Sequence, residues 1–263
     1  MSLSAAVADA YDATGAAWER GPALVYGRLA DLLVAASPVA LTGARVLDLG
    51  AGTGAATRAA RARGADVIAL DIAAAMLAAS DDRPPAVAGD ALALPFRTGA
   101  FDVVAAAFSL NHLVDPVAGL REAARVTRAG GAVLASAYAL DDVHPVKHAV
   151  NAAAEARGWS PPAWMETVAE QAVPRLATVD RAASAASGAG LDDVVARSVR
   201  VAFTDLVAAD LVAWRLGMAQ LAPFVATLPA RERDALVADA LARLGEAAPA
   251  LERSMIVVSG RVR

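Results

Sequence analysis

The sequence predicts an α/β fold built on a mainly parallel β-sheet. Between residues 45 and 138, short apolar segments alternate with segments of helical pattern, which is typical of strand–helix–strand crossovers. Several of the apolar segments contain no polar interruption, as expected of strands covered on both faces. A glycine-rich turn, Gly50-Ala51-Gly52-Thr53-Gly54, follows the first of them. We therefore expect helices on both sides of one sheet.

The first half of the chain contains the most regular elements. Apolar residues at helical spacing predict helices within residues 1–36. Beyond them the sequence predicts strands at Arg45–Leu49, Asp66–Asp71, Ala86–Ala88, Phe101–Phe108 and Gly131–Tyr138, with helices at 55–63, Ala73–Ser80 and Val117–Thr127. Gly64 ends the first of these helices, as a C-terminal glycine does.

After Tyr138 the alternation stops and helices dominate. The sequence predicts helices within 144–176, broken at 160–162, then a helix at Arg181–Ala189, a strand at Val194–Phe203, further helices up to Pro249 and a last strand at Met255–Val262. We interpret the chain as one domain, 1–263. Its parts are N-terminal lid helices (1–36), a core (40–138), a helical insert (139–192) and two last strands (193–263) enclosing a second helical insert (204–250).

The composition excludes several classes of protein. Of the 263 residues, 57% are hydrophobic and 20% are charged, which is typical of a folded chain. A net charge of −4 without basic clusters argues against a nucleic-acid partner. The absence of cysteine excludes disulfides and thiolate ligands. We expect no signal peptide, no transmembrane helix and no membrane partner, and hence a cytoplasmic location.

The glycine-rich turn fits two kinds of ligand. Glycines let the backbone approach a ligand closely, and the helix that follows offers free N–H groups. Gly50, Gly52 and Ala55 match the pattern of a dinucleotide site, and Asp71 at the end of the second strand would bind ribose hydroxyls in either case. Asp48 within the first strand and the acidic turn at Asp90 are features that a dinucleotide fold does not usually have.

Five segments in order resemble the class I S-adenosylmethionine-dependent methyltransferases. These segments are VLDLGAGTG (46–54), VIALDIAAAML (67–77), GDALALPF (89–96), FDVVAAAFSLNHL (101–113) and LREAARVTRAGGAVLAS (120–136). They are most similar to the ubiquinone/menaquinone-biosynthesis group, which methylates small molecules. The resemblance implies a Rossmann-like, seven-stranded, mostly parallel sheet in the order 3-2-1-4-5-7-6, with helical lid insertions.

The resemblance also implies where S-adenosylmethionine and its product S-adenosylhomocysteine would bind. Asp48 would help to hold the amino group of the methionyl part, and Phe108 would offer its carbonyl to the same group. Asp71 would accept from both ribose hydroxyls, and Asp90 from the adenine amino group. The other residues implied in cofactor binding are Gly50, Gly52, Gly54, Ile72, Ala91 and Leu92.

The sequence offers weaker candidates for catalysis and for the substrate. His144 and His148, one helical turn apart, are candidate general bases. Asp141, Asp142 and His144 resemble a small cluster of metal ligands. We nevertheless expect no metal, because the end of the fourth strand lacks an acidic ligand. Candidate substrate-binding residues are Tyr11, Trp18, His112, Trp164, Trp214 and Met218; Trp214 and Met218 share a helical stripe that also fits a core.

The sequence thus predicts a metal-independent enzyme that methylates a small, largely apolar molecule on oxygen, nitrogen or carbon. A homodimer is one oligomeric state that it allows. An alternative keeps the fold and cofactor but uses them for non-methylating chemistry or regulation. A nicotinamide-dependent oxidoreductase is a further alternative. Such an enzyme would need a group of catalytic residues, for example a Tyr paired with a Lys. The chain has one lysine, Lys147, which makes this pairing a poor match to the sequence.

Overall fold

A computed structural model describes residues 3–79, 84–140, 143–245 and 248–263. Ser80, at the end of a predicted helix, and the candidate ligands Asp141 and Asp142 lie outside the described residues. Within this part of the chain the seven strands are β1 (Arg45–Leu49), β2 (Asp66–Asp71), β3 (Ala86–Ala88), β4 (Phe101–Ala107), β5 (Thr127–Tyr138), β6 (Asp192–Phe203) and β7 (Leu251–Arg261).

The helices come in three groups. The first group precedes the sheet and comprises α1 (Leu3–Asp12), α2 (Gly15–Arg20) and α3 (Pro22–Ala35). The second connects the parallel strands and comprises α4 (Ala55–Arg61), α5 (Ala74–Ala78) and α6 (Pro116–Val126). The third comprises α7 (Pro145–Glu155), α8 (Ala163–Thr167), α9 (Val179–Gly188), α10 (Ala208–Leu216), α11 (Ala222–Thr227) and α12 (Ala230–Leu244).

The seven strands form one sheet in the order β3-β2-β1-β4-β5-β7-β6, as predicted. The first five strands of this order are parallel, and β7 runs antiparallel to both β5 and β6. In an α/β sheet of this kind ligands bind beyond the carboxyl ends of the parallel strands. The strand order therefore brings the ends of β3, β2, β1 and β4 side by side, in that sequence, along one edge.

Alternate side chains of the strands enter two separate cores, one on each face of the sheet. In β1, Val46 packs with α3 and α4 in one core, whereas Leu47 and Leu49 pack in the other core with α6 and α9. All three are at most 1% exposed. Burial on both faces is why the central strands are apolar at almost every position, with Asp48 of β1 as an exception.

The ends of several helices differ from the prediction for identifiable reasons. The helix predicted at Arg181–Ala189 begins earlier, at Val179, because the Thr178 hydroxyl accepts from the Arg181 N–H and caps it. The helix predicted at Val117–Thr127 likewise begins at Pro116 behind the cap Asp115. Helix α3, which the prediction counts among the lid helices, also contributes to the core, since its Leu29 and Leu33 are fully buried there.

Candidate functional site

The glycine-rich turn is held tightly against the ends of β1, β2 and β4. Gly50, Gly52 and Gly54 have φ angles of 73°, 55° and 90°, a region that glycine adopts without steric cost. The Gly50 and Ala51 N–H groups both donate to the Leu70 carbonyl, at 2.7 and 3.0 Å. The loop is therefore anchored to the neighbouring strand before it enters α4.

Asp71 joins the glycine loop to the end of β2. Its Oδ2 accepts from the Gly52 N–H at 2.7 Å, and its Oδ1 accepts from the Ala73 N–H at 2.8 Å. A carboxylate has about four acceptor positions, so roughly two remain for hydroxyl groups of a ligand. Burial raises the pKa of this carboxyl, against the opposing effect of the backbone hydrogen bonds.

Asp48 lies beneath the loop and is 1% exposed. Its Oδ2 accepts from both the N–H and the hydroxyl of Thr57, each at 2.7 Å. Its Oδ1 has no hydrogen-bond partner. Burial raises the pKa of Asp48 to about 6, because its effect is larger than the lowering caused by the hydrogen bonds from Thr57. A buried acceptor left open at a cavity wall indicates that a ligand donor completes it.

These residues line one cavity along the edge of the sheet. Its wall runs from Asp90 and Ala91 after β3, past Ile72 and Asp71 after β2, to the glycine loop and then to Phe108 after β4. Phe108 has a φ of 56°, unusual for a residue with a side chain, and it is one of the residues that line the cavity. Gly54 and Leu92 are not among the residues that line it: Gly54 is the N-cap of α4, and Leu92 is 38% exposed.

Aromatic side chains from the N-terminal helices close the cavity on the opposite side. Tyr11 of α1, Trp18 of α2 and Tyr26 of α3 line it together with Phe108 and His112. The Tyr11 hydroxyl is hydrogen bonded to His112 Nε2 at 3.1 Å, and His112 Nδ1 is buried without a partner. Burial lowers the pKa of His112 to about 4, so the imidazole is neutral near pH 7.

The structure does not bring the two candidate bases to this cavity. His144 and His148 line a separate surface groove beside α12. His144 Nδ1 accepts from the Val146 N–H and so caps α7, and its Nε2 is hydrogen bonded to the Pro249 carbonyl. This placement corrects the assignment: His144 stabilises a helix end, and His112 is the histidine that lines the cavity.

Three of the candidate substrate residues also lie elsewhere, which corrects that part of the prediction. Trp214 is 2% exposed and packs in the core, with the Arg253 guanidinium 5.0 Å from its ring centroid. Met218 packs against the same core. Trp164 lines a surface groove beyond α1. The stripe shared by Trp214 and Met218 is a core stripe, because both side chains pack in that core.

Tyr26 lines the cavity but is not among the candidates from the sequence. It lies in α3, whose apolar pattern is that of a core helix. Its place in the N-terminal segment, beyond Tyr11 and Trp18, was the available signal. No group of three or more acidic or histidine ligands occurs within the described ranges, and no helix within them is long and apolar enough to cross a membrane.

We expect replacement of Asp48 by Asn to stabilise the ligand-free protein at neutral pH. The folded state binds the Asp48 proton more tightly than the unfolded state, because burial raises its pKa from 3.8 to about 6. The contribution of Asp48 to the free energy of unfolding of the wild type is therefore present below about pH 4 and is lost as the pH rises through about 6. Asn keeps an acceptor for Thr57 and carries no charge.

Urea unfolding at pH 4 and pH 7 measures this effect. The difference in free energy of unfolding, variant minus wild type, is expected to increase by about 1–3 kcal/mol between the two pH values. Asp66→Asn, at the exposed start of β2, is the matched control and is expected to show no such increase. A difference that is independent of pH would contradict a raised pKa for Asp48.

Taken together, the sheet order, the glycine loop and the acidic residues at the ends of β1, β2 and β3 define a class I methyltransferase fold. Comparison with known proteins agrees. Residues 47–135 match the family model described as a methyltransferase domain.

The relatives are methyltransferases. The chain is 44% identical over 131 residues to the demethylmenaquinone methyltransferase of Mycobacterium sp. (strain KMS), a match that covers 49% of this chain and 55% of the relative. A second relative, the demethylmenaquinone methyltransferase of Renibacterium salmoninarum, is 38% identical over 135 residues. That match covers 50% of this chain and 55% of the relative. The chain thus spans about half the length of the curated relatives it matches.

One solved structure is similar over nearly the whole chain. It comes from the complex of the Haloferax volcanii Trm112 methyltransferase activator with a methyltransferase. Its TM-score is 0.58 at 22% identity, and the match covers 97% of this chain and 96% of the other. At that identity the likeness concerns the fold.

Proposed function

We propose that this protein transfers a methyl group from S-adenosylmethionine to a small, largely apolar molecule. The observation that carries the proposal is the row of acceptors along the sheet edge, in which the buried Asp48 Oδ1 is left without a partner beneath the glycine loop. Asp71 and Asp90 continue this row at the ends of the next two strands. The residues present therefore fit the donors of this cofactor: an ammonium, two ribose hydroxyls and an adenine amino group.

The cofactor, when bound, supplies a methyl group on a positively charged sulfur that is a good leaving group. The chain's own contribution is positioning and the exclusion of water. Asp48 would hold the ammonium, and Asp71 would accept from the ribose hydroxyls. Tyr11, Trp18 and Tyr26 cover the cavity with apolar rings and keep water from the reacting groups.

A proton acceptor is needed when the methylated group arrives as a hydroxyl. We propose His112 for that role, because it lines the cavity and its Nδ1 has no hydrogen-bond partner; its lowered pKa makes it a weak base in the ligand-free protein. The Tyr11 hydroxyl, on Nε2, would fix the orientation of the ring. This assignment replaces the one made for His144 and His148.

The aromatic lining favours a flat, apolar acceptor. The relatives are named demethylmenaquinone methyltransferases, and we extend the quinone-like acceptor class to this chain as part of the proposal. The cavity encloses only about 130 Å³, whereas pockets for small molecules typically measure roughly 300–1,000 Å³. We propose that the cavity widens on binding at α1, whose one buried residue is Val7 and whose Tyr11 is hydrogen bonded to His112.

Calorimetric titration of the purified protein tests the proposal. We expect micromolar binding of S-adenosylmethionine and S-adenosylhomocysteine and none of NADH. Transfer of an isotope-labelled methyl group to a panel of quinols and phenols then tests the reaction itself. Binding of NADH alone would overturn the choice of cofactor. Binding of the first two ligands without transfer to any acceptor would favour the non-methylating alternative.

A further inference from the structure

Two arginine side chains are buried close to each other near the cavity. Arg215 of α10 is 6% exposed, and Arg253 of β7 is 2% exposed. A buried guanidinium loses the hydration of its charge, a cost that a carboxylate partner normally offsets. The Arg215 guanidinium instead donates twice to Asn151 Oδ1 of α7, at 3.1 and 2.9 Å. An amide oxygen carries no net charge, so this contact leaves the positive charge of Arg215 unbalanced.

The surroundings of Arg215 add to this excess of positive charge. Among the residues that the structure describes, no carboxylate forms an ion pair with Arg215. Burial, and after it the charge of Arg253, lower the pKa of Arg215 to about 10, so both groups are cations near pH 7. The Arg253 guanidinium lies 5.0 Å from the ring centroid of Trp214, whose buried Nε1–H has no hydrogen-bond partner. Two cations and an open donor in one buried place favour an anionic ligand.

This pair of arginines lies behind the wall of the cavity, at the same edge of the sheet. Strand β7 runs antiparallel to β5, so Arg253 near its start lies close to Tyr138 at the end of β5. The guanidinium is 3.9 Å from the Tyr138 ring centroid. That centroid is in turn 4.5 Å from the one of Phe108 and 6.0 Å from the one of Tyr26, and both of these residues line the cavity. One aromatic ring therefore separates Arg253 from the cavity wall.

The cavity itself offers an acidic ligand no cation. No lysine or arginine is among the described residues that line it, whereas Asp48, Asp71 and Asp90 are. A negative group on the methyl acceptor would be repelled by these carboxylates and would lie away from them. Asp90 and Asp71 follow β3 and β2, whereas Arg253 is on the other side of β1, β4 and β5 in the strand order. The arginine pair is thus at the end of the site that an acidic group would occupy.

We propose that Arg215 and Arg253 bind a carboxylate of the methyl acceptor, which is then a flat aromatic acid. The carboxylate reaches them when the Tyr138 ring turns aside and opens the wall between Tyr26 and Phe108. A planar guanidinium donates two parallel N–H groups to a carboxylate, which gives both strength and orientation. This inference rests on the proposed function and narrows its acceptor from flat apolar molecules in general to those that carry one carboxylate.

Calorimetric titration tests the inference on protein saturated with S-adenosylhomocysteine. The probes are benzoate and cinnamate, two aromatic acids of different length, each compared with its neutral amide. The wild type is expected to bind at least one acid about tenfold or more tightly than its amide. Arg215→Met, which keeps the length of the side chain and removes its charge, is expected to weaken binding of that acid by roughly ten- to hundredfold and to change binding of the amide by less than about twofold.

Two further variants make this result specific. Arg215→Lys keeps the charge but loses the planar fork of donors, and we expect it to give an intermediate affinity for the acid. Arg157→Met removes an arginine that follows α7 and pairs with Asp239 at 2.9 Å. It is the matched control and is expected to bind both the acid and the amide as the wild type does.

A second measurement uses the wild-type protein, in case Arg215→Met does not fold. The indole N–H signals of isotope-labelled tryptophan are followed by nuclear magnetic resonance while the acid is added. The signal of Trp214, assigned with Trp214→Phe, is expected to move because its ring lies against Arg253. The signal of Trp159 is the internal reference and is expected to stay, since its N–H donates to the Gln220 carbonyl at 3.0 Å.

The possible outcomes separate the two proposals. Equal affinity of the wild type for each acid and its amide would overturn the inference and leave the cofactor assignment standing. The same follows if Arg215→Met weakens the acid and the amide by the same factor, or if an acid binds without moving the Trp214 signal. Failure of S-adenosylhomocysteine to bind the wild type would instead overturn the proposed function.

Discussion

Replacing Asp71 by Ala is expected to weaken the binding of S-adenosylmethionine by at least tenfold, and by about a hundredfold if both ribose hydroxyls lose their acceptor. Hydrogen bonds to a buried charged group contribute about 1.5–3 kcal/mol each, and about 1.4 kcal/mol corresponds to a factor of ten. The change also removes the acceptor for the Gly52 and Ala73 N–H groups. The loop that carries the cofactor's other contacts would then lose its anchor on β2.

Calorimetric titration of three variants beside the wild type makes this test specific. Asp66→Ala changes an exposed aspartate at the other end of the same strand and is expected to bind as the wild type does. Asp71→Asn keeps one acceptor oxygen and is expected to give an intermediate affinity. A folded Asp71→Ala protein that binds within about twofold of the wild type would show that this carboxylate does not hold the cofactor.

Replacing Gly50 by Ala is expected to lower the free energy of unfolding by about 2–5 kcal/mol. A Cβ at this position would lie 2.2 Å from the Ser109 Cβ, and the φ of 73° is one that residues with side chains rarely adopt. The left-handed backbone alone costs about 1–2 kcal/mol, and overpacking in a rigid site adds about 1–3 kcal/mol. Ser109 cannot retreat easily, because its hydroxyl donates to the Leu49 carbonyl at 2.6 Å.

Gly43 provides a control matched in backbone conformation. Its φ is 72°, and an added Cβ would meet no atom within 4 Å. Gly43→Ala therefore measures the backbone cost alone, and urea unfolding of both variants isolates the cost of the contact with Ser109. The double variant Gly50→Ala/Ser109→Gly is expected to recover part of the loss. Equal losses for Gly43→Ala and Gly50→Ala would contradict the close approach.

Much of the fold was predictable because it depends on local patterns. The bounds of β1, β2 and β3 agree with the prediction to the residue. These strands are short, apolar and bounded by turn residues, so their sequence leaves little choice of structure. The strand order came from the resemblance of five segments and agrees with the observed sheet. The helix ends were less predictable, since caps such as Thr178 determine them.

The candidate site was predictable only where it coincides with the glycine loop and the strand ends. Asp48, Asp71 and Asp90 lie at positions that follow from local sequence, because the ends of parallel strands meet at one edge of the sheet. His144 and Trp214 could not be placed in this way. His144 caps α7, and Trp214 lies in α10, both of which follow β5. Whether such a helix faces the cavity or the core depends on its packing against the rest of the chain.

By itself, the sequence determined the α/β class, the positions of the strands and the acidic residues that end them, because these features depend on the identity of neighbouring residues. Only the tertiary structure decided which of the candidate aromatic and histidine side chains share the cavity: Tyr11, Trp18 and His112 line it, whereas His144 and Trp214 do not. Tyr11, Trp18 and Tyr26 come from three different helices, and His112 follows β4, about 100 residues from Tyr11. Contacts over such separations arise from packing of the two faces of the sheet, and no local pattern encodes them.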